Sequence, residues 1–188
     1  LDGLIDDYRR LGEPVGWASS RGGRRRLVVL TELGRAWYEN AYQQEPLESE
    51  LVKAARRHQS VGHGVGILEA LDHLRVAGYR VDDDPEALRA TGEPWGRRAE
   101  PDLTAWMEGH WWPVEVQREV SERLLEKWRK TLDLAGRLAL IVFSRHQQRK
   151  QADILRAARL AGKVRLSSLE AMEDGKWAWE TIRSPMNW

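Results

Sequence analysis

This sequence predicts an α/β fold, a mixed sheet flanked by helices, preceded by a smaller unit built on a hairpin and helices. Three observations carry that reading. From Gly62 onward, segments of helical and strand period follow in the order helix, strand, strand, strand, helix, strand, helix, strand. "LALIVF", Leu138 to Phe143, is almost wholly apolar between Gly136 and Ser144, the pattern of a central strand buried on both faces. A hydrophobic content of 41% beside 31% charged residues gives a chain of 188 residues enough for a core and a strongly ionised surface.

Taken in order, Leu1, Leu4, Ile5, Tyr8 and Leu11 recur at the spacing of a helix face, which Gly12-Glu13-Pro14 interrupts. "VGWASS" and "RRLVVL" read as strands joined by the Gly-containing "RGGRR", a loop suited to a hairpin. Thr31 followed by Glu32 marks a helix start, and that helix runs through Trp37 and Tyr38 to about Gln44. Pro46 closes the unit. A linking helix covers Leu47 to Arg57, and the glycines of "HQSVGHGV" interrupt before "GILEALDHLRVAG" resumes as a helix. "YRV" is a short strand; "DLTAWM" and "WWPVEVQ" form a hairpin around "EGH". A helix from a Ser121 N-cap to Ala135, the buried strand, a helix from Gln147 to Leu160, the strand "KVRLSS" and a closing helix complete the chain. The expected organisation is residues 1–45, 46–61 and 62–188.

The bulk properties exclude several classes. With no cysteine there is no disulfide, thiolate zinc site or cysteine nucleophile, as expected in a reducing, cytoplasmic setting. No apolar run has the length of a membrane span, so no membrane partner is expected. The opening "LDGLIDDYRR" lacks both a signal-peptide pattern and an initiator Met, as in a fragment cut on its N-terminal side. A net charge of +1 means that nucleic-acid binding must use local basic clusters. HExxH, P-loop and GxSxG patterns do not occur.

Chemistry concentrates in "RRAEPDLTAWMEGHWWPVEVQREV", Arg97 to Val120. Asp102 opens one strand and Glu115-Val116-Gln117 ends the next, so Glu115 and Gln117 share a face while Val114 and Val116 take the other. Two carboxylates converging from adjacent strands offer the hard oxygens that suit Mg²⁺, or Mn²⁺. A second reading stays open, in which Asp102 is a turn residue after Pro101 and Glu115 a solvent-facing strand residue. Four arginines, Arg21, Arg24, Arg25 and Arg26, flank the first hairpin, either contacting DNA phosphates or solubilising the loop. Arg145, Arg149 and Lys150 of "SRHQQRKQ" follow the buried strand at its carboxyl end, where α/β folds present ligands, or else begin a solvated helix. His58, His63 and His73 favour structural or capping roles over a metal cluster. Trp111 and Trp112 favour strand packing over base stacking.

Two resemblances sharpen these expectations. "LIDDYRRLG" with "RGGRRRLVVLTELGRAWYENA" resembles MarR-type winged-helix regulators from the end of the recognition helix through the wing to the next helix. The αβββαβ order, with Pro101-Asp102, Glu115-x-Gln117 and the preceding helical Glu69, resembles the core of the PD-(D/E)XK nuclease-like superfamily. More closely, "RHQSVGHGVGILEAL", "AEPDLTAW", "WWPVEVQREVSERLLEKWRK", "LALIVFS" and "VRLSSLEAMEDGKW" are similar, in order, to plasmid replication-relaxation-type proteins of mobile elements. These resemblances imply a DNA-binding protein with a Mg²⁺-dependent endonuclease-like domain, and as further partners a second copy or other mobile-element proteins. Asp102 and Glu115 would hold the metal, with Glu69 assisting. Gln117 stands where the superfamily usually has Lys, so the missing cation is expected from Lys127, or from Lys130, with Arg118 nearby. The alternatives are a catalytically inactive module that keeps the fold for DNA binding or assembly, and a winged-helix transcriptional regulator.

Overall fold

The computed structural model describes residues 12–18, 24–48, 50–58, 60–83, 93, 95, 100–175 and 179–182. The chain divides into two compact units, Leu1–Val65 and Gly66–Trp188. The helix expected over Leu1 to Leu11, the loop with Arg21 and most of the acidic stretch after Asp83 lie outside the described residues.

In the first unit, β1 (Gly12–Ala18) pairs antiparallel with β2 (Arg24–Leu30), with Gly12 opposite Leu30 and Ala18 opposite Arg24. The strand begins at Gly12, where the sequence suggested only a break. Pro14 is compatible with it because each strand of a two-stranded ribbon keeps one unpaired edge, where a missing N–H costs no ladder bond. Helix α1 (Glu32–Tyr42) starts as expected, the Thr31 hydroxyl accepting from the Gly34 N–H at 3.1 Å. It ends at Gln43, whose N–H still donates to the Glu39 carbonyl while its left-handed φ of 54° turns the following chain out of the helix. Helix α2 spans Glu50–His58.

Helix α3 (Val61–Val76) corrects the reading of "HQSVGHGV" as an interruption, since the helix includes Gly62 and Gly64. Ser60 holds its first turn, with its hydroxyl accepting from the His63 N–H and its carbonyl from the Gly64 N–H. At Gly66 the reason for glycine is packing: an added Cβ would overlap the Phe143 ring.

The second unit carries a six-stranded mixed sheet in the order β3-β4-β5-β6-β7-β8. β3 (Arg80–Asp82), β4 (Leu103–Met107) and β5 (His110–Gln117) form an antiparallel meander. The β4–β5 turn is the two-residue Glu108-Gly109, with φ of 53° and 78°, the paired positive values that tight hairpins use. β6 (Leu138–Val142) and β7 (Val164–Ser168) continue parallel to β5, and β8 (Glu180–Thr181) closes the edge antiparallel to β7. The two-residue β8 was not expected, being too short to show a period.

Helices α4 (Leu125–Ala135), α5 (Arg145–Ala157) and α6 (Leu169–Glu173) complete the unit. Ser121 does act as an N-cap, but of a single 3₁₀ turn, Glu122–Leu124, so the α-helix proper starts later than expected. α5 starts two residues before Gln147 because Ser144 and Gln147 form a capping box.

Alternation along the strands separates two cores. On one face Ile67, Ala70, Leu71 and Leu74 of α3 pack over Leu103, Ala105, Val114, Val116, Ala139 and Ile141. On the other, Trp128 and Leu132 of α4 with Ala152 and Leu155 of α5 cover Leu138, Leu140, Val142 and Leu166. Every residue of β6 is buried, as its unbroken apolar run predicts. Trp111 and Trp112 are also buried, and the Trp112 indole donates to the Met107 carbonyl, so both serve packing. No helix among the described residues is long and apolar enough to cross a membrane.

One buried group conflicts with this economy. Gln151 of α5 is fully buried, and neither amide atom has a hydrogen-bond partner among the described residues. An unsatisfied buried polar group costs roughly 1–3 kcal/mol, while Met has a similar shape and no such demand. Gln151→Met is therefore expected to raise stability by about 1 kcal/mol, or Tm by a few degrees in thermal unfolding. A lowered Tm would show that the amide is satisfied in solution.

Candidate functional site

Because β5, β6 and β7 are parallel, their carboxyl ends share one edge of the sheet, with Gln117, Val142 and Ser168 in register. Gln147 ties this edge together: its carbonyl oxygen accepts from the Phe143 and Ser144 N–H groups, and its amide donates to the Arg118 carbonyl at 2.8 Å. Sequence reasoning took Gln147 only as a helix start. The signal available was the Ser-x-x-Gln capping box.

Val114 and Val116 face α3, so Glu115 and Gln117 project from the opposite face, where α4 packs. Glu115 is 1% exposed, and its Oε2 accepts from the Lys127 ammonium at 2.6 Å. Lys127 itself is half-exposed and reaches inward from the first turn of α4. The Gln117 amide approaches the same oxygen at 3.4 Å. The structure thus gathers Glu115, Gln117 and Lys127 at one point. Lys130, the other lysine considered, instead pairs with Glu126 at 2.9 Å on the exposed side of α4, and its ammonium holds the Glu126 carboxyl below its ordinary pKa.

Asp102 is buried immediately before β4, and its Oδ2 accepts from the Val116 N–H at 2.8 Å. The carboxylate thereby extends the β4–β5 pairing by one bond, a structural use that the bare Pro-Asp motif does not reveal. Glu69 is half-buried on α3, the helix that covers the other face of the sheet.

The basic residues fall into separate groups. Arg118 is exposed directly after β5. Arg145 begins α5, donates its N–H to Glu170 and pairs its guanidinium with Asp174. Arg149 and Lys150 are exposed on α5. Arg24, Arg25 and Arg26 open β2, opposite Ala18, Trp17 and Gly16. Arg21 is outside the described residues.

In the first unit, His58 ends α2 and His63 lies in the first turn of α3, with ring centroids 5.1 Å apart. The donor nitrogens of the pair are within 4.8 Å, so the two imidazoles are able to contribute to holding a metal ion. Sequence reasoning named both histidines but favoured structural or capping roles for them, because the approach of the rings bridges two helices and no spacing along one helix shows it.

Fold and site together define an α/β domain with a six-stranded mixed sheet and, near the carboxyl edge of its parallel strands, a buried Glu115 paired with a half-exposed Lys127. Set against known protein families, curated proteins and solved structures, the chain matches none of them.

Proposed function

We propose that this protein binds DNA and cleaves or nicks it with a Mg²⁺- or Mn²⁺-dependent endonuclease domain of PD-(D/E)XK type, preceded by a partial winged helix. The observation that carries the reading is the 2.6 Å approach of Lys127 to Glu115, because it supplies, from the next helix, the cation that Gln117 lacks. The αβββαβ succession from α3 to β6, with β5 and β6 parallel inside a mixed sheet, is consistent with such a core. Asp102 and Glu115 are a hard-oxygen donor set of the kind Mg²⁺ takes, and one oxygen of each is also engaged by a protein donor. The ion, when bound, supplies polarisation of the scissile phosphate and a more acidic water. Glu115 orients the Lys127 ammonium, which neutralises charge developing on the phosphate, and the Gln117 amide positions the water. Arg118, Arg149 and Lys150, with Arg24 to Arg26, hold the DNA backbone. A cytoplasmic role in plasmid or mobile-element replication, as a homodimer or with other element proteins, follows from the same reading.

A second reading, a nuclease fold kept for DNA binding or assembly without turnover, is favoured by Gln117 and by the bond of Asp102 to Val116. Supercoiled plasmid separates the two. Nicking in Mg²⁺ or Mn²⁺ that stops with EDTA and with Glu115→Ala is the expected result. A band shift without cleavage in any metal would favour the non-catalytic module, and no binding at all would remove both.

A further inference from the structure

We propose that His58 and His63 form a binding site for a borderline divalent cation of the Zn²⁺ or Cu²⁺ class, different in ligand chemistry from the carboxylates of the sheet. The sequence places the two histidines five positions apart with a helix junction between them. The junction decides the geometry: α2 stops at His58, and Ser60 starts α3 by accepting from the His63 N–H at 3.3 Å and the Gly64 N–H at 2.9 Å. His63 is thereby held in a fixed first turn, facing the last residue of the preceding helix. Its neighbours Gly62 and Gly64 carry no side chains, so nothing adjacent in the chain crowds the ring.

The spacing suits coordination. The two rings lie 5.1 Å apart between centroids and are tilted by 38°, rather than stacked in parallel. With Zn–N bonds of about 2.0–2.1 Å, each centroid would stand about 3.2 Å from a shared ion, and the observed separation then corresponds to an angle of roughly 105°, near tetrahedral. Both residues are half-buried, so part of the cost of removing the imidazoles from water and fixing their rotamers is met on folding. Imidazole donors select Zn²⁺, Cu²⁺ or Ni²⁺ over Mg²⁺, which prefers oxygen. Two imidazoles from the first unit leave further coordination positions for carboxylate, water or an exchangeable ligand.

The test uses the full chain without an affinity tag. Zn²⁺ titration by calorimetry is expected to show a one-to-one complex, and Cu²⁺ EPR is expected to show hyperfine coupling from two imidazole nitrogens. His58→Ala and His63→Ala should each weaken Zn²⁺ binding by about 100-fold or more, beyond the loss caused by removing an outer-shell partner. His110→Ala and His146→Ala should leave it unchanged. Absence of a complex with the unsubstituted chain, a Cu²⁺ spectrum without two-nitrogen coupling, or Zn²⁺ affinity kept in both the His58 and His63 variants would each overturn the proposal. The spectrum of the unsubstituted chain decides the matter even if a variant fails to fold.

Discussion

Lys127→Ala is expected to destabilise the protein by about 2 kcal/mol, whereas Glu115→Gln is expected to cost less than about 1 kcal/mol, although both remove the same ion pair. The asymmetry follows from burial. Glu115 is 1% exposed and its carboxylate sits against Lys127 and Gln117, while the lysine side chain is 47% exposed. Removing the lysine leaves a charge in the interior without its cation, a change that costs roughly 3–5 kcal/mol in fully buried pairs. Water reaching the half-exposed end of this pair lowers that figure. Replacing the glutamate with Gln instead removes the buried charge, keeps the volume and a carbonyl acceptor, and leaves an ammonium that solvent can hydrate. Urea denaturation midpoints at pH 7 check the ordering, with Lys127→Met as a control that keeps the apolar stem. Equal losses, or a larger loss in Glu115→Gln, would show that the pair is not the dominant interaction of this carboxylate. Under the proposed function both variants also lose nicking, and Glu115→Gln would do so while still folded, which separates chemistry from stability.

The parts of this fold that were legible are those where one residue pattern permits one environment. β6 is such a case: five apolar residues in succession have no polar face to offer solvent, so the strand must be central, and all five are buried. The meeting of Lys127 with Glu115 was legible for a related reason. A strand followed directly by a helix brings the first turn of that helix close to the strand end, and the alternation of "VEVQ" decides which side chains turn toward it. Asp102 was not legible to the same degree. Its partner, the Val116 N–H, lies 14 residues away and is selected by cross-strand register, which Pro-Asp does not encode. The His58–His63 pair was named but set aside, for the opposite reason: the residues are close in the chain, but their approach depends on how one helix stops and the next begins. β8 has only two residues, fewer than any periodicity requires. Gly66 belongs with these cases, since the sequence places it only at the start of the resumed helix, and its need to lack a side chain is explained by a phenylalanine far along the chain.

That glycine yields the other large effect. Gly66→Ala is expected to destabilise the protein by about 1–2 kcal/mol, against the usual benefit of about 1 kcal/mol for alanine over glycine within a helix. In α3 an alanine Cβ would overlap the Phe143 ring, approaching Cζ most closely and Cε2 at 2.7 Å, inside any ordinary carbon–carbon contact. An aromatic ring cannot bend away as a lysine or methionine chain does. Phe143 also directly follows β6 and packs against the α3 core, so its backbone has little freedom to retreat. The overlap therefore pushes α3 from the sheet or forces the ring off its rotamer, the usual cost of overpacking. A double-substitution cycle isolates the cause. In a Phe143→Ala background the obstacle is gone, and Gly66→Ala should become stabilising through helix propensity alone. A coupling of about 2 kcal/mol between the two positions, measured by urea denaturation, is the expected outcome for residues in direct contact. Additive effects would mean that Gly66 is retained for a reason other than Phe143, and that α3 carries its glycines for the backbone rather than for the packing of its face.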